Sequence, residues 1–242
     1  MTDYLKAYRG QVRESRSGAR SFVTSLLDRK AQAIGQRDRH ALFLPRVINN
    51  FGLHKQALSL LDIGIGNGLY MSYCDPALTK YGTDLSDHFR SELSAMDIEL
   101  FVTNSESESL PLPDASLDIV MANHLIEHIW NYNALVAEVR RVLKPGGGFL
   151  IRTPNIERVR FKFYDDCTHI KAYSIAGLNH LAQIHGFSPI KTLYSDHPRI
   201  LLDSLTNGKL AELIFTSNRI LPGGNEIETY WIKDANDEKT RS

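Results

Sequence analysis

The run LSLLDIGIGNG, residues 58–68, constrains this chain more than any other stretch. Its apolar half ends at Asp62 and leads into glycines at alternate positions, Gly64, Gly66 and Gly68. Such an apolar run reads as a strand buried on both faces, the situation in a parallel sheet covered by helices. Glycines directly after it supply positive φ and no side chain, which suits a turn where backbone comes close to a ligand. Asp84 follows 22 positions after Asp62, at the end of a second strand-like run, KYGTD. An offset of about 20 residues is where a nucleoside-binding βαβ unit sets a carboxylate on ribose hydroxyls.

The same spacing excludes two common readings. A dinucleotide turn needs G-x-G-x-x-G, but counted from Gly64 the last position is Leu69, and counted from Gly66 it is Met71. A phosphate-binding P-loop needs Gly-Lys-Ser/Thr, which does not follow.

The 242 residues are enough for one good core, with or without a lid. No apolar stretch reaches the roughly 18–20 residues of a membrane span, and MTDYLKAYRG lacks the apolar core of a signal peptide. Cys74 and Cys167 stand far apart in no metal-type spacing, as reduced thiols of a cytoplasmic protein would. A net charge of zero speaks against a dedicated nucleic-acid binder. Residues 1–50, however, carry ten Lys/Arg against four acids, so an anionic partner stays open beside a plainly solvated basic face.

Strand and helix signals alternate. After KYGTD come a polar helix near 86–96, the strand IELFVT, and the strand LDIVMAN at 117–123. A helix over 131–143 places Leu135, Val136, Val139, Val142 and Leu143 on one face and stops at Lys144-Pro145-Gly146. GFLIRTP (148–154) is a fifth strand, Ser174 caps a helix ending near Gly186, and 188–194 and 227–233 are the last two strands. The expected fold is α/β: a Rossmann-like, doubly wound seven-stranded sheet with an antiparallel last strand and helices on both faces. Residues 1–50 are expected to form a helical lid or cap. Residues 51–242 are expected to form the ligand-binding domain, with an insert at about 195–225 that also serves as lid. Ligands belong at the carboxyl ends of the strands.

LLDIGIGNG, YGTDLS, SLPLPDASLDIVMANHLIEHI and VRRVLKPGGGFLI, in that order, resemble the ubiquinone-biosynthesis-type (methyltransferase type 11) branch of the class I S-adenosylmethionine (SAM)-dependent methyltransferases. DDCTHIKAYSIAGLNHLAQIHGF is similar to a segment frequent in members acting on sugars or other hydroxylated small molecules. The resemblance implies SAM as cofactor and S-adenosylhomocysteine as product. It sets Gly64, Gly66 and Gly68 against the methionine part, with Asp62 holding the ammonium group. It sets Asp84 on the ribose with Leu85 beside it, Glu106 and Ser107 at adenine, and Asn123 beneath the sulfonium. Glu106 departs from the family's usual Asp.

An alcohol acceptor needs a group to take its proton, whereas a neutral amine needs none. His169 is the candidate base, with Asp166 to orient it and His128 as a further candidate. No metal ligand set is assigned. His124, Glu127 and His128 would be the candidates, at positions where some relatives have a metal-binding E-x-x-E-H. The letters H-x-x-E-H also match an inverted zinc-peptidase pattern, which requires a continuous helix. The expected activity is O-methylation of a small hydroxylated acceptor, sugar or glycan related. N-methylation of an amine or peptide nitrogen, and a non-catalytic SAM-binding regulatory subunit, remain alternatives.

Overall fold

The computed structural model describes residues 43–53, 57–72, 77–194 and 224–234. The proposed lid over residues 1–50 lies outside these apart from its last turns, as do Cys74 and almost all of the 195–225 insert. Among the described residues the elements are α1 (Phe43–Phe51), β1 (Ser59–Ile63), β2 (Thr79–Asp84), α2 (Arg90–Ser94), β3 (Ile98–Val102), β4 (Leu117–Asn123), α3 (Tyr132–Val142), β5 (Leu143–Pro154), α4 (Ile156–Val159), α5 (Ile175–Ile184), β6 (Phe187–Tyr194) and β7 (Glu226–Lys233). The seven strands lie in the order β3-β2-β1-β4-β5-β7-β6. β1 to β5 are parallel, and β7 runs antiparallel between β5 and β6. The order reverses direction between β1 and β4, so a crevice opens at the carboxyl ends of these two strands.

Period-two alternation divides the apolar strands between two cores. Leu61, Ile63, Val120, Ala122, Phe149 and Ile151 face α3 and α5. Their neighbours Leu60, Ile119, Met121 and Leu150 face the side that α1 covers with Phe43, Leu44, Val47 and Phe51. α1 therefore crosses the expected boundary at residue 50 with its apolar face in the core. It is also tied to the sheet by Arg46, which forms a bidentate pair with the buried Glu228 at 2.7 and 2.9 Å.

Two local details differ from the sequence reading. The polar helix is only the five residues of α2, because Ser86 and Asp87 spend their groups on a turn that bonds His88 and Arg90. β5 begins at Leu143 rather than Gly148, so KPGG is a bulged part of the strand. Lys144 precedes Pro145, a position that disfavours helix and carries the chain straight into extended backbone. No described helix is long and apolar enough to cross a membrane.

Candidate functional site

The glycine turn folds because its conformations suit no other residue well. Gly64, Gly66 and Gly68 have φ of 72°, 54° and 71°. A Cβ on Gly68 would lie 2.6 Å from Leu93, whereas one on Gly66 would meet nothing within 4 Å. A Cβ at Gly68 would thus have to displace the buried Leu93 methyl, and Gly66 leaves open space at the crevice. Asp84 closes the turn from the neighbouring strand: its Oδ2 accepts from the Gly66 N–H at 3.0 Å and its Oδ1 from the Ser86 N–H at 3.1 Å. Each carboxylate oxygen keeps further acceptor capacity.

Asp62 and Asn123 stand side by side at the ends of β1 and β4. Asp62 is buried, and the Asn123 amide donates to its Oδ1 at 3.3 Å. Burial pushes the Asp62 carboxyl up to about 7, against the pull of Asn123 and Arg152. The Asn123 side-chain Oδ1 is buried with no hydrogen-bond partner among the described residues. Both groups lack what a cationic donor would provide. Leu85 is 57% exposed beside Asp84. Glu106 caps the following loop, its Oε1 accepting from the Trp130 N–H at 3.0 Å, and the exposed Ser107 donates its N–H to Asn104.

Beyond the ends of β4 and β5 the chain gathers a second group. The Glu127 carbonyl accepts from the N–H groups of Ile170 and Lys171, which sews the loop after α4 to the turn after β4. This seam brings His169 beside His128, with ring centroids 4.8 Å apart. Glu127, fully buried, His128 and His169 each offer one atom within 4.8 Å of the others. His169 Nδ1 lies 2.6 Å from the Phe163 carbonyl, and His128 Nδ1 lies 3.1 Å from the Thr168 carbonyl. A carbonyl can only accept, so His169 carries its proton on Nδ1; the Thr168 hydroxyl, 2.9 Å from His128 Nδ1, gives its own proton to Asp166, so His128 carries one on Nδ1 as well. In the neutral form this leaves Nε2 as a lone pair on each ring.

Asp166 sits 4.0 Å from His169 Nε2, beyond hydrogen-bond reach. The group that orients His169 is therefore the Phe163 carbonyl, while Asp166 accepts from the hydroxyl and N–H of Thr168. Burial works to raise the Asp166 carboxyl, but those two bonds outweigh it and hold it below the usual range.

His124 departs from the set that spacing suggests. Its Nδ1 lies 3.3 Å from Glu127 and its Nε2 3.4 Å from Glu226, so both nitrogens are taken. Burial opposes its charge, yet the two carboxylates raise it to about 9. His124 is thus an imidazolium within a chain of charges that continues through Glu226 to Arg152 at 2.7 Å. The zinc-peptidase pattern has no structural basis, because Ile126–His128 is a single 3-10 turn. The sequence reading missed Arg152, Glu226 and Glu228. A charged residue inside the apolar strand GFLIRTP was the available signal for the first; its partners lie on a strand more than 70 residues away.

Comparisons with known proteins agree with this fold. Residues 61–151, less than half of the chain, match the methyltransferase domain family. A protein of Mycolicibacterium smegmatis named as a probable SAM-dependent methyltransferase is 34% identical over 164 residues, covering 63% of this chain and 62% of that one. The chain spans less than two thirds of the length of the curated relatives it matches first. A SAM-dependent methyltransferase of Archaeoglobus fulgidus shares the fold with a TM-score of 0.59 at 22% identity, covering 88% of this chain and all of that one (100%). The cyclase SpnF superposes equally well, with a TM-score of 0.59 at 17% identity over 80% of each chain. The fold is thus that of the class I methyltransferases, and fold alone does not specify the reaction.

SAM is the cofactor that this domain implies, and the crevice fits it. Its cationic methionine end would give the buried Asp62 and the orphaned Asn123 side-chain oxygen a partner. A ribose diol suits the two oxygens of Asp84, and the space beside Gly66 admits a ligand against bare backbone.

Proposed function

We propose that the chain, whose residues 61–151 match a methyltransferase domain family, transfers a methyl group from SAM to a hydroxyl of a small acceptor, with His169 as the base. When bound, SAM supplies an electrophilic methyl on a sulfonium, whose positive charge disappears as the methyl leaves. Asp62 and Asn123 hold the methionine end, Asp84 with Leu85 the ribose, and Glu106 with Ser107 the adenine side. An alcohol is a poor nucleophile until its proton is taken. His169 Nε2 takes it, and His128 lies beside it as the second proton-accepting ring. The single observation carrying this reading is the anchoring of both rings through Nδ1 to backbone carbonyls, which presents lone pairs at the strand ends.

Calorimetry with S-adenosylhomocysteine and turnover on a hydroxylated acceptor test the reading together. His169→Gln should keep the affinity and lose at least a hundredfold in kcat, a typical general-base contribution. Full turnover by that variant would favour N-methylation of an amine or peptide nitrogen, where no base is needed. Cofactor binding without any methylated product in cell extract would favour a regulatory SAM-binding subunit.

A further inference from the structure

Past the end of β5 lies an open pocket of about 530 Å³ lined by Pro154 and the segment from Arg158 to Phe163, with His169 and Asn225 also on its wall. Asn123 pairs with Arg152 across the sheet, and Pro154 lies two residues further along. At about 3.3 Å per residue this places the pocket's edge roughly 7 Å beyond Asn123, outward from the cofactor crevice. Arg158, Arg160 and Lys162 line it with Phe161, and no acidic residue is among the described residues that do. Glu157 and Asp165 occur in the same segment but do not line the pocket.

Arg160 has φ 50° and ψ −132°, a conformation natural to glycine and strained for any residue with a side chain. The position thus carries a guanidinium at the expense of local stability. Phe161 is next to it and 89% exposed, an apolar ring held out beside the cations.

We propose that this pocket is the acceptor subsite and that it takes a hydroxylated acceptor bearing an anionic group, phosphate or carboxylate, next to an apolar body. The assignment rests on the methyltransferase reading above and adds the chemical class of the acceptor. Arg160 and Lys162 attract and hold the anion, Phe161 packs on the apolar body, and His169 stands where the hydroxyl is presented. The strain at Arg160 gives the proposal a signature that a solvated basic surface lacks: replacing Arg160 by glycine should improve the fold and impair the site.

The test measures binding of 1-naphthyl phosphate, 1-naphthoate and 1-naphthol to the full chain by fluorescence, with S-adenosylhomocysteine calorimetry in parallel. At least one anion should bind ten times more tightly than the neutral naphthol, and the tighter anion identifies phosphate or carboxylate as the recognised group. Arg160→Gly should weaken that anion at least fivefold, leave 1-naphthol and S-adenosylhomocysteine unchanged, and raise the thermal midpoint. Lys162→Gln should weaken the anion without raising the midpoint. Anions binding no better than 1-naphthol, or unaltered anion affinity in both variants, would overturn the proposal. Because cofactor binding is read separately, its loss in the wild-type chain would sink the methyltransferase reading, whereas cofactor binding without anion preference would sink this inference alone.

Discussion

Asp62→Asn separates the structural cost of the carboxylate below the glycine turn from its use. Burial is the main influence and takes the Asp62 carboxyl from 3.8 to about 7. An acid whose pKa is higher folded than unfolded holds its proton more tightly in the folded state. Its contribution to stability is complete below pH 4 and is lost as pH rises through 7. At 1.36 kcal/mol per decade, the interval from 3.8 to about 7 corresponds to roughly 4 kcal/mol, an upper bound because water reaches real cavities. Asparagine has no such titration. Urea unfolding of the ligand-free proteins from pH 4 to 8 should therefore show the variant gaining on the wild type by up to that amount. A docked ammonium reverses the balance by favouring the carboxylate. Binding of S-adenosylhomocysteine at pH 7 should then expel about half a proton, read as a calorimetric enthalpy that changes with the buffer's ionisation enthalpy. The variant should expel none and bind more weakly. Superimposable pH–stability curves for the two proteins, together with a buffer-independent enthalpy in the wild type, would refute the reasoning.

Asp84→Ala should cost on the order of 1–3 kcal/mol of S-adenosylhomocysteine affinity in calorimetry, as expected for loss of a charged acceptor. Gly68→Ala should destabilise by about 1–3 kcal/mol in urea unfolding, from positive φ and contact with Leu93. Gly66→Ala shares only the φ cost in stability, and its added methyl should instead lower cofactor affinity at least tenfold; equal affinity in wild type and Gly66→Ala would remove Gly66 from the site. His124 is raised from 6.5 to about 9, so the stability it contributes is complete below pH 6.5 and lost as pH climbs through 9. An NMR titration of its ring should give a midpoint well above 8, and a midpoint near 6.5 would contradict the charge network.

The glycine turn and its acidic neighbours were legible because their geometry is local. Asp62, Gly64, Gly66 and Gly68 sit within one strand and the turn that ends it, and Asp84 ends the next strand, β2. The histidine group was legible only as a set of candidates. His169 and His128 were both named, but nothing in their spacing pairs them; the Glu127 carbonyl does so through Ile170 and Lys171. Asp166 was the natural orienting partner from its position three residues before His169. The observed partner, the Phe163 carbonyl, could not be read from the letters, because every residue has a carbonyl.

What the sequence determined by itself was the layer order and the glycine turn after β1. Alternating apolar runs leave one economical way to bury two faces of a sheet, and three glycines at alternate positions permit the run of positive φ that the turn adopts. What only the tertiary structure decided was the allocation of charge. His124 is taken up by Glu127 and Glu226, His169 takes the place beside His128 that spacing would have given to His124, and Arg160 holds a glycine's conformation at the pocket wall. These depend on which strand ends meet across the crevice, since Coulomb and hydrogen-bond energies are set by distances of a few ångströms between residues far apart in the chain.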